Sequence, residues 1–77
     1  MKLEIKYYGI LSDITGQTQE KLEIDNPTYS HLLASLYDRY PSLEDTPFKI
    51  AVENQIINND EPITNHNIAL LPPFSGG

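Results

Sequence analysis

Cysteine is absent from this 77-residue chain, and its absence excludes several kinds of functional site at once. Without a thiol there is no disulfide framework, no thiolate ligand for a metal and no cysteine nucleophile. Disulfides persist mainly in oxidising compartments, so their absence mildly favours the cytoplasm, where we expect this protein to be located.

Long apolar runs are also missing. No stretch approaches the roughly 18 apolar residues of a membrane-spanning helix, and the start of the chain does not resemble a signal peptide. A mass of 8.7 kDa fits one domain. We therefore predict a single domain over residues 1–77, with a flexible C-terminal tail at residues 72–77.

Basic residues are few, because five lysines and arginines stand against eleven acidic residues and the net charge is −6. An acidic surface repels phosphate backbones, which disfavours nucleic-acid binding and makes a basic protein partner easier to imagine. On charge alone the simpler interpretation is that the net charge keeps a small protein soluble.

Alternating apolar residues predict a first strand around Leu3, Ile5 and Tyr7, and a second around Leu22 and Ile24. The segment 9–16 is bounded by glycines, which predicts a hairpin loop between these strands.

A helix is predicted from an N-cap at Thr28 to Tyr40, where Pro41 stops it. After a polar connection at residues 42–47, strands are predicted at residues 48–52, 55–57 and 68–71. Asn54 supplies the left-handed conformation of a tight turn. One helix between two hairpins covers one face of a sheet, so the order predicts an α+β sandwich.

Residues for independent catalysis are not grouped in this sequence. His31 and His66 are the only histidines, and neither has a second ligand at metal-binding spacing. Gly9 and Gly16 resemble a phosphate loop only in being a pair of glycines, and no serine is paired with a histidine. We predict no metal site.

The C-terminal segment differs from the rest, because residues 62–77 contain no charged side chain. Pro72 and Pro73 cannot extend a strand ladder and favour a stiff, extended exit. Gly76 and Gly77 would pass through a slot as narrow as a backbone. Such a tail presents one reactive group, the terminal carboxylate, which acyl adenylation would make electrophilic. The alternative is an ordinary frayed terminus.

Four stretches resemble the MoaD-like small subunits of molybdopterin synthase, in the MoaD/ThiS family of ubiquitin-like sulfur carriers with the β-grasp fold. They are ALLPPFSGG at residues 69–77, YYGILSDITG at 7–16, LYDRYP at 36–41 and IAVEN at 50–54. The resemblance spans the whole chain, and the tail is its most specific part. It departs from the family pattern at Ser12, where arginine is common, and at residues 65–67, where Asp-Gly-Asp is frequent.

The resemblance implies a sulfur-transfer cycle at Gly77. A ubiquitin-activating-like adenylyltransferase uses ATP to adenylate its carboxylate, a sulfur donor makes the thiocarboxylate, and the tail delivers sulfur to cyclic pyranopterin monophosphate. The chain itself would bind no cofactor and act as a co-substrate, with the catalytic residues on a large subunit in a heterotetramer of two small and two large subunits.

Other functions share this tail. A thiazole-synthesis carrier has a similar fold and Gly-Gly end, and carriers for cysteine, tungsten-cofactor or siderophore routes are further alternatives. A ubiquitin-like modifier would form amides between Gly77 and target lysines. In a purely non-covalent binding module the tail would be incidental.

Two expectations concern the arrangement of the strands and the tail. The order of elements predicts that the last strand lies centrally, parallel to the first. Residues 74–77 should be mobile in the free protein, because they bury too little to offset the entropy of ordering.

A third expectation concerns a docking patch. Alternation sends Tyr8, Ala69 and Leu71 to the open face of the sheet, near Ala51 and one of Ile56 or Ile57. We expect this patch, within an acidic rim, to bind the large subunit. The predicted partner-binding residues are Tyr8, Leu71, Pro72, Pro73, Phe74 and Ser75, with Gly76 as the slender part of the tail.

Overall fold

The computed structural model describes residues 1–58 and 61–73, which form a five-stranded sheet with helices packed on one face. The elements are β1 (Lys2–Tyr7), α1 (Ile10–Thr15), β2 (Gln19–Glu23), α2 (Tyr29–Arg39), a 3-10 helix (Pro41–Asp45), β3 (Lys49–Val52), β4 (Gln55–Ile57) and β5 (Asn67–Leu71).

The strands lie in the order β2-β1-β5-β3-β4, so the last strand occupies the centre of the sheet. It pairs in parallel with β1 and antiparallel with β3. The prediction of a central, parallel last strand is confirmed. A mixed five-stranded sheet with one main helix on one face is the ubiquitin-like β-grasp fold, as the sequence predicted.

The core forms between α2 and the inward-facing side chains of the two central strands. Leu3 and Ile5 of β1 and Leu70 of β5 are fully buried, and so are Leu32 and Leu36 of α2. Each such side chain contributes about 1.5–3 kcal/mol through removal from water. The alternation along β1 therefore determines which face of the sheet α2 covers.

Helix α2 begins and ends at the predicted residues. The hydroxyl of Thr28 accepts a hydrogen bond from the backbone N–H of His31 at 3.2 Å, which satisfies one otherwise unpaired donor of the first turn. At the other end, the N–H of Tyr40 donates to the carbonyl of Leu36 at 2.7 Å, and Pro41 follows.

The predicted hairpin loop at residues 9–16 is wrong, because the short helix α1 occupies this segment. Leu11 of α1 is fully buried and anchors the helix on the sheet. Gly16 adopts the left-handed conformation, with φ 74°, and its N–H donates to the carbonyl of Ser12 at 2.9 Å. The second glycine is thus a helix C-cap and not the end of a loop.

A second difference lies in the predicted polar connection at residues 42–47, where the chain forms the 3-10 helix Pro41–Asp45. Leu43, the one large apolar residue in this helix, is fully buried. Burial of this single side chain fixes the connection against the core.

The β3–β4 turn contains two left-handed residues. Asn54 has φ 68°, as predicted, and Glu53 has φ 49°. The sequence did not indicate this conformation for Glu53, a residue type that rarely adopts it. The N–H of Glu53 donates to the carbonyl of Asn67 at 3.1 Å, which ties the turn to β5.

Candidate functional site

The open face of the sheet carries a row of small and apolar side chains across its strands. Ala69 of β5 lies opposite Ala51 of β3, and Ala51 lies opposite Ile56 of β4. Ile56 is 54% exposed, whereas Ile57 is half-buried and packs against the core. Of the two isoleucines considered from the sequence, Ile56 therefore belongs to the patch.

Tyr8 and Leu71 continue this patch toward the end of β5. The backbone N–H of Tyr8 donates to the carbonyl of Leu70 at 3.3 Å, which places Tyr8 beside the last residue of the strand. Tyr8 is 46% exposed and Leu71 is half-buried. Tyr8, Ala51, Ile56, Ala69 and Leu71 line one shallow groove of about 560 Å³, here called the apolar patch. The predicted grouping of these residues is confirmed.

Polar residues border the groove at the end remote from the C-terminus. The amide of Asn67 donates to a carboxylate oxygen of Glu53 at 3.1 Å. The imidazole of His66 lies 3.8 Å from the carboxylate of Glu4. Both contacts are exposed to solvent. Each involves only two side chains, so neither forms a cluster of three titratable groups.

Pro72, the first residue after β5, lies close to Gly9, the glycine that precedes α1. Gly9 has φ 58° and ψ −135°, a conformation that side chains other than hydrogen rarely allow. A Cβ built on Gly9 would lie 3.1 Å from Cγ of Pro72, closer than an ordinary contact. Gly9 therefore permits both the local backbone and the close approach of Pro72, which sets where the chain leaves the sheet.

The remaining predicted tail residues are placed only in part. Pro73 is exposed and lies beyond the end of β5. Phe74, Ser75, Gly76 and Gly77, together with their predicted mobility, lie outside the described residues.

A buried carboxylate on the opposite face was missed in the sequence. Glu20 of β2 lies opposite Ile5, and its side chain is only 6% exposed. Its carboxylate accepts hydrogen bonds from the hydroxyls of Tyr7 and Tyr40 and from Arg39, which lies at 2.9 Å. The sequence did contain an indication of this burial. Glu20 alternates with Leu22 and Ile24 and therefore lies on the same inward side of the strand.

Two opposing effects act on this carboxylate. Burial would raise the pKa of Glu20, but the hydrogen bonds from Tyr7 and Tyr40 and the charge of Arg39 lower it below its usual range. Burial and the hydrogen bond to Glu20 raise the pKa of Tyr7. An ionised carboxylate with four donors around it, Gln17 being the fourth, is a structural anchor between β2 and the end of α2.

The histidines lie where the sequence placed them, exposed in the first turn of α2 and in the bend before β5. Over residues 1–58 and 61–73, no three His, Cys, Asp or Glu side chains are grouped to hold a metal ion. None of the helices in this part of the chain is long and apolar enough to cross a membrane.

Comparison with solved structures shows the same fold in several archaeal proteins. Small archaeal modifier protein 1 (SAMP1) from Haloferax volcanii is 21% identical, with a TM-score of 0.82 and all of both chains covered. SAMP1 from Methanosarcina acetivorans is 21% identical, with a TM-score of 0.75, and 99% of this chain and 96% of that one are covered. A Pyrococcus furiosus protein assigned as subunit 1 of molybdopterin converting factor is 17% identical. Its TM-score is 0.87, and 96% of this chain and 99% of that one are covered.

The match of the sequence to a family model is stronger evidence than the similarity to solved structures. The model of the ThiS family matches residues 5–77, which include the second half of β1, the apolar patch and the whole C-terminal tail. The resemblance identified from the four sequence stretches is confirmed: this chain belongs to the ThiS family of ubiquitin-like sulfur carriers.

Proposed function

We propose that this chain is the sulfur-carrying small subunit of molybdopterin synthase. In the first step a carboxylate oxygen of Gly77 attacks the α-phosphate of ATP on an adenylyltransferase, forming the acyl-adenylate and releasing pyrophosphate. Hydrosulfide then displaces AMP and leaves the thiocarboxylate directly. If the nucleophile is a persulfide, the product is an acyl disulfide, and a thiol reduces its S–S bond to release the thiocarboxylate and form a disulfide with the donor. The loaded tail donates its sulfur to cyclic pyranopterin monophosphate on the large subunit.

The observation that carries this proposal is the position at which the tail begins. Strand β5 is hydrogen-bonded on both sides, by β1 and by β3, so Leu71 ends the central strand of the sheet. Six residues follow it, and when extended they reach on the order of 20 Å at about 3.3 Å each. A long, slender terminus on a rigid base suits delivery of one reactive group into a partner's pocket.

The apolar patch supports a partner at the base of this tail. Tyr8 and Leu71 are exposed or half-exposed directly beside the exit of Pro72, and contiguous apolar surface of this kind marks interfaces. The described open face carries alkyl, amide and single charged groups without a convergent set of titratable ones. The catalytic groups therefore belong to the large subunit in this proposal.

The decisive measurement is the intact mass of the purified chain after incubation with ATP and a lysate of its source organism. We expect one oxygen to be replaced by sulfur at the C-terminus. Oxidation of Met1, the single methionine, adds nearly the same mass, so the C-terminal fragment must be measured separately. A matched chain lacking Gly77 should gain no mass there.

The absence of cysteine makes a second readout specific. A thiocarboxylate reacts with iodoacetamide, and the unloaded chain has no thiol that competes for this reagent. Alkylation confined to the C-terminal fragment, dependent on ATP and lost without Gly77, supports the carrier. A chain that remains unalkylated and unchanged in mass contradicts it.

Assignment to molybdopterin synthesis needs the acceptor. The purified thiocarboxylate form should lose its sulfur when mixed with the large subunit and cyclic pyranopterin monophosphate, and molybdopterin should form. Sulfur retained in this mixture, but lost in a thiazole-forming one, would favour the thiazole-synthesis carrier.

A protein modifier is the second candidate, because two structural neighbours are named as modifiers and share the fold. In that case Gly77 forms an amide with a lysine of another protein. The same lysate experiment separates the two functions, since a modifier appears as isopeptide adducts on larger proteins and a carrier as the sulfur-exchanged chain.

Docking is tested with substitutions on the apolar patch. Tyr8→Asp and Leu71→Asp should leave the fold largely intact and weaken binding to the large subunit by about 2–4 kcal/mol, the size of a buried hot spot. Ala34→Asp adds the same charge on the exposed side of α2 and should bind as the wild type does. Unchanged affinity in both patch variants would place the docking surface elsewhere.

A further inference from the structure

The charges of this acidic protein are divided unequally between the two sides of the sheet. Strand alternation and register place every lysine of the chain on the open face, in positions that face away from the core. They are Lys2 and Lys6 of β1, Lys21 of β2 and Lys49 of β3. The open face also carries Glu4, Glu23 and Glu53, so its lysines outnumber its carboxylates.

The helices carry the opposite charge. Asp13 of α1, Asp38 of α2, and Glu44 and Asp45 of the 3-10 helix are all exposed. The one basic residue on this side, Arg39, is bound to the buried carboxylate of Glu20. Four carboxylates without a basic partner among the described residues therefore lie on the helix side, away from the apolar patch.

Two of the lysines flank the apolar patch directly. Lys6 lies opposite Ala69 on one side of β5, and Lys49 lies opposite Leu71 on the other. Among the described residues, none of the four lysines forms an ion pair with a carboxylate. Both flanking ammonium groups are thus available to a partner, and the rim of the patch is mixed in charge where the sequence had suggested an acidic one.

We infer that the open face binds a protein surface with an apolar centre and carboxylates on either side of it, and that Lys6 and Lys49 receive those carboxylates. Complementary charges around a buried apolar contact accelerate association and determine orientation. The carboxylates of such a partner repel the acidic helices and attract the lysines of the open face. Together the two interactions orient the chain so that its tail faces the partner's pocket. The inference rests on the proposed function for the partner's identity, but the charge distribution stands independently of it.

The surface potential is tested first, on the free protein. Proton relaxation is measured by NMR with two small nitroxide radicals, one carrying a carboxylate and the other an ammonium group. For each proton, the relaxation enhancement by the anionic radical is divided by that by the cationic radical. This ratio should be about twofold or more higher along β1 and β5 than along α2. Equal ratios on both sides would overturn the inference.

Binding to the large subunit is tested second, with paired substitutions. Lys6→Gln combined with Lys49→Gln should weaken binding about tenfold at low salt, and added salt should reduce the difference. Lys2→Gln with Lys21→Gln changes the net charge equally at the far side of the open face and should have a smaller effect. Glu44→Gln with Asp45→Asn, on the helix side, should bind at least as tightly as the wild type.

The opposite signs would contradict the inference. If the Lys6 and Lys49 pair binds more tightly and the Glu44 and Asp45 pair more weakly, the partner is basic and contacts the helices. A wild-type chain that does not bind the large subunit contradicts the proposed function and this choice of partner together. The nitroxide measurement then still decides the charge distribution by itself.

Discussion

The two faces of the sheet use the same alternating strands for opposite purposes. On the helix-covered face, Leu70 is fully buried and the carboxylate of Glu20 has four hydrogen-bond donors. On the open face, Leu71 is half-buried and Lys6 and Lys49 have no carboxylate partner among the described residues. The polar groups of the first face are paired within the chain, whereas the second face exposes apolar and charged side chains to solvent.

This difference shows that burial and hydrogen bonding, and not residue type, separate the internally paired groups of this protein from the exposed ones. Tyr7 and Tyr8 are neighbours in sequence, yet the hydroxyl of Tyr7 donates to Glu20 inside the molecule while Tyr8 is 46% exposed. The following paired substitutions compare one face with the other.

The largest effect should come from the adjacent leucines of β5. Leu70→Ala should destabilise the protein by about 2–5 kcal/mol, because it leaves a cavity in the core. Leu71→Ala removes the same atoms from a half-buried site and should cost less than about 1 kcal/mol. Urea unfolding followed by circular dichroism checks both, and equal losses would mean that the faces do not differ in packing.

The next effect concerns the two glutamates of the strand pair. Glu20→Gln should lower the free energy of unfolding by about 1–3 kcal/mol, because it leaves donors of a partly buried network unpaired. Glu4→Gln changes an exposed group and should stay within about 0.5 kcal/mol. The same urea series measures both, and a loss at Glu4 as large as that at Glu20 would show that the open face is also internally stabilised.

The stability of the protein at acidic pH should depend on the carboxylate of Glu20. The pKa of Glu20 is lowered in the folded protein, so its contribution to stability is present above the unfolded value of 4.5 and is lost as the pH falls through the lower folded value. Melting temperatures measured at successively lower pH should therefore fall more steeply below pH 4.5 in the wild type than in Glu20→Gln. Parallel curves would contradict this role.

The smallest effect should come from removing single hydroxyls. Tyr40→Phe deletes a hydroxyl that donates to Glu20 at 2.7 Å and accepts from Gln17 at 2.7 Å, and should cost about 0.5–1.5 kcal/mol. Tyr8→Phe deletes an exposed hydroxyl and should leave the melting temperature unchanged. Differential scanning calorimetry measures both, and a clear loss at Tyr8 would reveal an internal partner for it.

Much of the fold was predictable because its signals are local. Alternation at Leu3, Ile5 and Tyr7 defined β1 and its buried face, and Thr28 with Pro41 bounded α2. Helix α1 was missed because a six-residue segment between two glycines can be either a loop or a short helix with a glycine C-cap. Gly16 is recognised as a cap only when Leu11 is seen to be buried against the sheet.

The sequence by itself determined the alternation of the strands and the bounds of the main helix, since each depends on neighbouring residues along the chain. Only the tertiary structure decided that Glu20 meets Arg39 and Tyr40, that Pro72 lies against Gly9, and that Lys6 and Lys49 flank β5. These groups lie far apart in sequence. Strand register and the packing of α2 bring them together, and no local periodicity specifies either of those.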